Sequence, residues 1–184
     1  MFKCSNESGQ TLIETIVAVY IVVLGVVGIL AMGLALLALG GQTGERILAT
    51  NLAREGLGVV QTIRNSNRLD PGQSWPYGLE LAAGTYNHKR VDYDSTEFTA
   101  ATGCSDSDTP GQCIVNCTNC DLCLYSGPTY DYYKFCSSGG DYKRLITIEA
   151  GDASYEKKVT SYVYWVDRSG PHTIDVEIRL TDWR

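Results

Sequence analysis

Between Glu14 and Glu45 the 184-residue chain has no charged side chain. That gap excludes an ordinary solvated helix for the segment, because a helix with no polar face has to sit in a core or in lipid. Basic residues are also few, 15 against 21 acidic ones, and the formal net charge is −6. Nucleic-acid binding through bulk electrostatics needs a basic footprint that this chain lacks. Histidine is scarce too. His88 and His172 are the only two, each in or near a turn with no identifiable partner, and His88-Lys89-Arg90 reads as a small solvated basic patch. No catalytic set, no bound cofactor and no enzymatic activity are expected.

What fills the gap is apolar. Ile16-Val17-Ala18-Val19-Tyr20-Ile21-Val22-Val23-Leu24 continues through Leu30, Leu34, Leu36, Leu37 and Leu39. A bilayer core needs about 20 such residues in helical form, and hydrocarbon forces the helix because unpaired peptide groups there are costly. A secretory signal has a shorter core, with its cleavage site on the far side. A lipoprotein signal would need an apolar segment before Cys4, which follows only Met1-Phe2-Lys3. Lys3 and the amino terminus precede the span, which keeps that end in the cytoplasm and puts the C-terminal part outside it. Beyond the span, Arg46 and Arg54 are offset by Glu45 and Glu55. The odd feature is Glu14, a lone carboxylate at the start of the run. Thr11-x-x-Glu14 has the form of a capping box, which satisfies free N–H groups at a helix start, and negative charge there suits the helix dipole.

Capping does not account for the whole string Gly9-Gln10-Thr11-Leu12-Ile13-Glu14-Thr15. Followed by a long apolar helix, it resembles the processing site of type IV pilins and of the pseudopilins of type II secretion. The resemblance implies a short cytoplasmic leader, residues 1–9, that a membrane-embedded prepilin peptidase cuts after Gly9. Gln10 becomes the new N-terminus, and Glu14 falls at the fifth mature position, where the family carries glutamate. The family most often has phenylalanine after the cut. Gln10 departs from that pattern, which leaves its N-methylation open. By the same resemblance Glu14 acts in assembly, paired with the amino group that cleavage creates on Gln10.

The helical pattern continues past the span. Leu48, Leu52, Val59 and Ile63 lie on one stripe with Ala49, Ala53, Gly56 and Val60 beside them, and Arg46, Thr50, Arg54 and Gln61 face away. Pro71, just beyond Asn65-Ser66-Asn67, marks the stop. A helix from Thr11 to about Asn67 would be roughly 85 Å long. Its first half, residues 10–44, is expected in lipid and its amphipathic half, 45–70, against a globular domain of residues 71–184. Glycines 25, 28, 33, 40, 41 and 44 interrupt it. They suit either close helix packing in a membrane or local melting on assembly, with Gly40-Gly41 and Gly44 the softest point.

In the domain, Leu79-Glu80-Leu81 with Thr85-Tyr86, and then Val91-Asp92-Tyr93-Asp94, read as short strands. From Ser95 to Gly140 no period is clear, and Tyr125, Tyr130, Tyr132 and Tyr133 are expected to pack a small core. Leu145–Glu149 is a strand candidate, and Lys157–Val166 with Thr173–Thr181 a hairpin. Ile174, Val176, Ile178 and Leu180 alternate with polar residues, so one sheet face is expected on the helix and one in water. Cys4 falls in the leader. The other six cysteines, Cys104, Cys113, Cys117, Cys120, Cys123 and Cys136, crowd one loop-rich stretch. In an exported protein an even number reads as a disulfide framework, with 15 pairings open. A zinc or iron–sulfur reading of Cys113-x3-Cys117-x2-Cys120-x2-Cys123 fits less well, because zinc knuckles are usually separated by a longer loop. A redox Cys-x-x-Cys needs a following helix start that is not signalled here, and no metal is expected. Asn116-Cys117-Thr118 fits a glycosylation sequon, but a disulfide-bonded Cys117 is the simpler account.

Val159–Trp165, Leu180-Thr181-Asp182-Trp183 and Asn51-Leu52-Ala53-Arg54-Glu55-Gly56 extend the likeness to minor pilins of the PilV type. The expected fold is therefore α+β: a long N-terminal helix on a small antiparallel sheet with a cysteine-rich loop region. The expected function is filament assembly for adhesion, motility or DNA uptake. Expected partners are prepilin peptidase, other pilin or pseudopilin subunits, a membrane assembly platform protein and the lipid bilayer. Two alternatives stand beside it: a minor pseudopilin of type II secretion, and a single-pass membrane protein with a disulfide-rich binding domain that never polymerises.

Overall fold

The structure, a computed structural model, describes residues 7–80, 86–153 and 155–182. The chain divides between Gly44 and Glu45 into two compact units. Helix α1 spans Glu7–Leu69, and its backbone stays helical through Gly40, Gly41 and Gly44. Within the first unit, Leu12–Leu37 is a 26-residue stretch long and apolar enough to cross a membrane, with none of it buried by the protein itself. Leu12, Ile16, Val19, Leu24, Leu30 and Leu37 all lie more than half exposed. Water does not tolerate so large a continuous apolar surface.

The second unit is an α+β domain built on an antiparallel sheet. Strands β1 (Asn87–Arg90) and β2 (Thr99–Ala100) come first, then helix α2 (Pro110–Asn116). After it come β3 (Asp121–Ser126), β4 (Asp131–Phe135), β5 (Tyr142–Ala150), β6 (Glu156–Asp167) and β7 (Gly170–Thr181). The central strand is β5. One of its edges pairs along its whole length with β6, from Tyr142↔Trp165 to Ala150↔Lys157. Its other edge is shared, the first residues with β3 and the later ones with β1. β2 and β4 close one side of the sheet and β7 the other.

The two faces of β5 explain the layers. Tyr142, Arg144, Ile146 and Ile148 point to one face, where Leu57, Val60 and Ile63 of α1 pack on Ile146, Ile148, Val159 and Leu180. Farther up, Ala49, Leu52 and Ala53 meet Leu122, Tyr142, Val163 and Trp165. The opposite face carries Leu145, covered by Cys113, Ile114, Cys117 and Cys120. α2 and the cysteine-rich loop thus form a third layer on the face expected to be wet. In β7 the alternation holds: Ile174, Val176 and Ile178 are part-buried towards α1, and Asp175, Glu177 and Arg179 are exposed.

Several expected elements move. Among the described residues the first strand is Asn87–Arg90, and Tyr93-Asp94 forms a turn. Leu79 and Glu80 are not in a strand, while Leu81–Thr85 lie outside the described residues, as do Met1–Asn6 of the leader and Trp183. The aperiodic stretch from Ser95 to Gly140 holds β2, α2, β3 and β4. Of its tyrosines, Tyr133 packs against the core, but Tyr125 and Tyr130 are exposed. Three cysteine pairs stand at disulfide distance: Cys104–Cys113, Cys117–Cys120 and Cys123–Cys136. The last joins β3 to the end of β4, and the first ties the loop to α2.

Candidate functional site

The residues singled out for processing and assembly lie in the first turns of α1. Gly9 and Gln10 are helical in backbone, and Glu14 is exposed. Because α1 begins at Glu7, Thr11 and Glu14 sit inside the helix. Residues 7–10 are already helical, so in the uncut chain Thr11 does not stand at a helix start, which corrects the capping-box reading. Thr15 spends its hydroxyl on the Leu12 carbonyl, 2.9 Å away. Glu14 shares a shallow apolar groove with Ile13, Val17, Ala18 and Ile21. The carboxylate thus opens an otherwise uncharged face.

Within the second unit, the amphipathic part of α1 is fastened to the sheet by a side chain that the sequence did not single out. Arg144 is fully buried. Its Nη1 donates to the Leu52 carbonyl at 3.0 Å and to Glu55 Oε1 at 2.8 Å, and its Nη2 donates to the Val91 carbonyl at 2.7 Å. Such a charge is tolerated inside only when paired and hydrogen-bonded. Gly56 makes room for it: a Cβ there would come within 3.1 Å of both Arg144 Cδ and Ile146 Cδ1. The Leu52…Glu55-Gly56 string is therefore a socket for Arg144. At the far end of α1, Arg64 donates to the Thr181 carbonyl and Arg68 pairs with Asp182. Burial lowers the Arg64 pKa, helped by the nearby Arg68 charge.

Both histidines have partners. His88 is buried in β1, between Thr147 Oγ1 at Nδ1 and the Asp108 carbonyl at Nε2, each 3.1 Å away. A carbonyl only accepts, so Nε2 donates to Asp108, and Nδ1 pairs with the Thr147 hydroxyl, which can donate or accept. The ring pins the cysteine-rich loop to the sheet, which corrects its reading as a solvated turn. His172 stacks on Trp165 and lies 2.9 Å from Asp167 Oδ1.

Asp167, Ser169 and His172 look like a catalytic set but are wired as a turn. Ser169 Oγ donates to Asp167 Oδ1 at 2.6 Å, and His172 Nε2 meets both of them at 2.9 Å. Nucleophile and carboxylate share one ring nitrogen, so the imidazole cannot take a proton at one nitrogen while being oriented at the other. The Ser169 hydroxyl, with its backbone N–H and His172, holds the Asp167 carboxyl down to about 2. Gly170, at φ +125°, exits the turn in a conformation that favours glycine.

Among the described residues no group of three or more His, Cys, Asp or Glu is placed to hold a metal ion. The thiols are drawn together in pairs instead. Lys143 reaches across to α2 and donates to the Val115 and Cys117 carbonyls at 2.9 and 3.0 Å, satisfying the open end of that helix. Comparison with protein-family models, curated proteins and solved structures finds no match to the chain.

Proposed function

We propose that the chain is the precursor of a type IV pilin-like subunit, a minor pilin, cut after Gly9 and built into a filament through α1. The observation that carries this reading is the string Gly9-Gln10-Thr11-Leu12-Ile13-Glu14, opening a helix with a 26-residue apolar stretch suited to a membrane. A helix whose later turns are half-buried under an antiparallel sheet supports it. The role is structural rather than catalytic. Its partners are the prepilin peptidase, neighbouring pilin or pseudopilin subunits, the assembly platform and the bilayer.

Cleavage gives Glu14 its purpose. In the precursor the carboxylate lies within the helix, seven residues past Glu7. After the cut the chain starts at Gln10, and a new ammonium lies within about one turn of Glu14 or can pair with it from a neighbouring subunit. In a low-dielectric setting that attraction is strong, so assembly becomes conditional on processing. N-terminal sequencing of protein made with a prepilin peptidase is expected to start at Gln10, and Gly9→Val to stay uncut. Protein still starting at Met1 would refute the reading and favour a non-polymerising membrane protein. Glu14→Gln keeps the size and hydrogen bonding but not the charge. It is expected to insert and be cut normally, yet to be depleted from sheared filaments. Wild-type incorporation would remove charge pairing from the account.

A further inference from the structure

Pairing between β3 and β5 stops at Asp121 and Leu122, while that between β3 and β4 runs on to Ser126↔Asp131. The outer half of this hairpin is therefore held by its own two strands, and tyrosines gather there. Tyr125 and Tyr132 stand directly opposite each other in register. Their rings are stacked, 17° from parallel, with centroids 6.0 Å apart. Tyr130 meets Tyr132 edge-on from the turn at 6.4 Å, and Tyr93 meets it edge-on from the neighbouring loop at 5.2 Å. Tyr93, Tyr125 and Tyr130 are all exposed, Tyr130 by 71%. A contiguous aromatic patch left in solvent calls for a use other than packing.

Phenols held this close have a reaction open to them. A one-electron oxidant takes an electron and a proton from a tyrosine and leaves a phenoxyl radical, whose unpaired electron is shared with the ring carbons beside the oxygen. Two such radicals on neighbouring rings join through those carbons. The hydrogens displaced there move to the oxygens and restore both phenols. We propose that Tyr125 and Tyr132 are a site of oxidative cross-linking, joined ring to ring by hydrogen peroxide acting through a haem peroxidase. The rings together give up two electrons and two protons, and one peroxide takes them up to become two waters. Register decides the pair: directly opposed side chains keep their Cβ atoms about 4.5–5.5 Å apart, and held proximity makes the coupling intramolecular. Tyr130, the most open ring, is the entry for the oxidant and touches Tyr132. The new bond braces the tip of the hairpin, as Cys123–Cys136 braces its base. The reaction requires that this domain face an oxidising compartment. It requires neither cleavage at Gly9 nor polymerisation, so its failure leaves that reading untouched.

The test uses the full chain in detergent micelles, treated with hydrogen peroxide and a haem peroxidase. The expected result is dityrosine fluorescence in the monomer. After the disulfides are reduced, cleavage before Asp131 should leave the fragments carrying Tyr125 and Tyr132 joined, with a mass two hydrogens below their sum. Tyr125→Phe and Tyr132→Phe should each lower the yield of linked monomer at least about tenfold, because coupling rests on that proximity. Tyr155→Phe, at an exposed tyrosine outside the cluster, should leave the yield unchanged. The proposal is overturned if the folded monomer stays unlinked, if the bond forms chiefly through another pair such as Tyr93 and Tyr132, or if either cluster variant keeps the parent's yield. It is equally overturned if the reduced, urea-unfolded chain links the same pair as efficiently, since nearness in sequence would then suffice.

Discussion

Replacing Arg144 tests how α1 is held to the sheet. Arg144→Ala removes three charge-assisted hydrogen bonds and a fully buried side chain, and leaves the Val91 carbonyl without its partner. The lost packing of a large buried side chain and the orphaned carbonyl together cost about 3–5 kcal/mol. Glu55→Ala is milder for two reasons. The Glu55 side chain is 38% exposed, so water already screens it, and Arg144 keeps both carbonyl partners. A hydrogen bond to a charged group is worth about 1.5–3 kcal/mol, and exposure moves the expected cost to about 1–2 kcal/mol. The double variant should fall short of the sum by about 1 kcal/mol, the coupling of a touching pair. Urea unfolding followed by tryptophan fluorescence measures all three, since urea does not screen charge as guanidinium does, and the midpoint should move at constant slope. Equal losses from Arg144→Ala and Glu55→Ala, or perfectly additive ones, would refute the socket. Gly56→Val should destabilise independently of charge, because its side chain enters the space of Arg144 and Ile146.

The cysteine pairs and the turn yield further expectations. Thiol titration of the denatured, unreduced chain without its leader should find no free thiol, while six reactive thiols with stoichiometric zinc would favour a metal site. Removing Cys123–Cys136, which closes a 13-residue separation, should cost more than removing Cys117–Cys120, which closes 3. The chain-entropy account gives about 3 kcal/mol for a loop near the longer length, readable as a difference in urea midpoint. Asp167 ionises more readily folded than unfolded. Its contribution is present above the ordinary carboxylate pKa, near 3.9, and is lost as pH falls from there towards about 2. Asp167→Asn should therefore flatten part of the acid limb of stability against pH. An unchanged limb would show that the turn carries no such linkage.

The parts of the fold legible in the sequence are those where one physical demand dominates. A membrane span asks only for a long apolar run with very few charges, and Leu12–Leu37, with Glu14 as its one charged side chain, meets that demand legibly. A helix or strand with one buried face shows its period, so the stripe ending at Ile63 and the alternation Ile174, Val176, Ile178, Leu180 could both be read. β1 could not. Asn87-His88-Lys89-Arg90 is polar throughout, and it is a strand through backbone pairing with β5 and β2, its buried side chains satisfied where Asn87 bonds the Glu80 carbonyl and His88 bonds Thr147 and Asp108. Its burial is compensated by partners far along the chain, which no local pattern reports. In β3 and β4 only Leu122 is fully buried, and Cys123–Cys136 and cross-strand tyrosine stacking add to that short buried face.

Arg144 shows why an anchorage of this kind leaves no local signature in a sequence. Leu52-Ala53-Arg54-Glu55-Gly56 stands out as a string, but its use depends on a cation about ninety residues later, inside a strand that otherwise reads as apolar. Within β5, Lys143-Arg144 looks like an exposed pair flanking the run Leu145–Ile148. Strand alternation sends Lys143 to one face, where α2 offers it carbonyls, and Arg144 to the other, where the notch at Gly56 opens beside Glu55. A buried pair of this kind adds little to stability over a well-packed apolar one. What it supplies is register. An arginine that must meet Glu55, Leu52 and Val91 together fits one placement of the helix on the sheet, and a slip of one turn would leave its charge buried and unpaired.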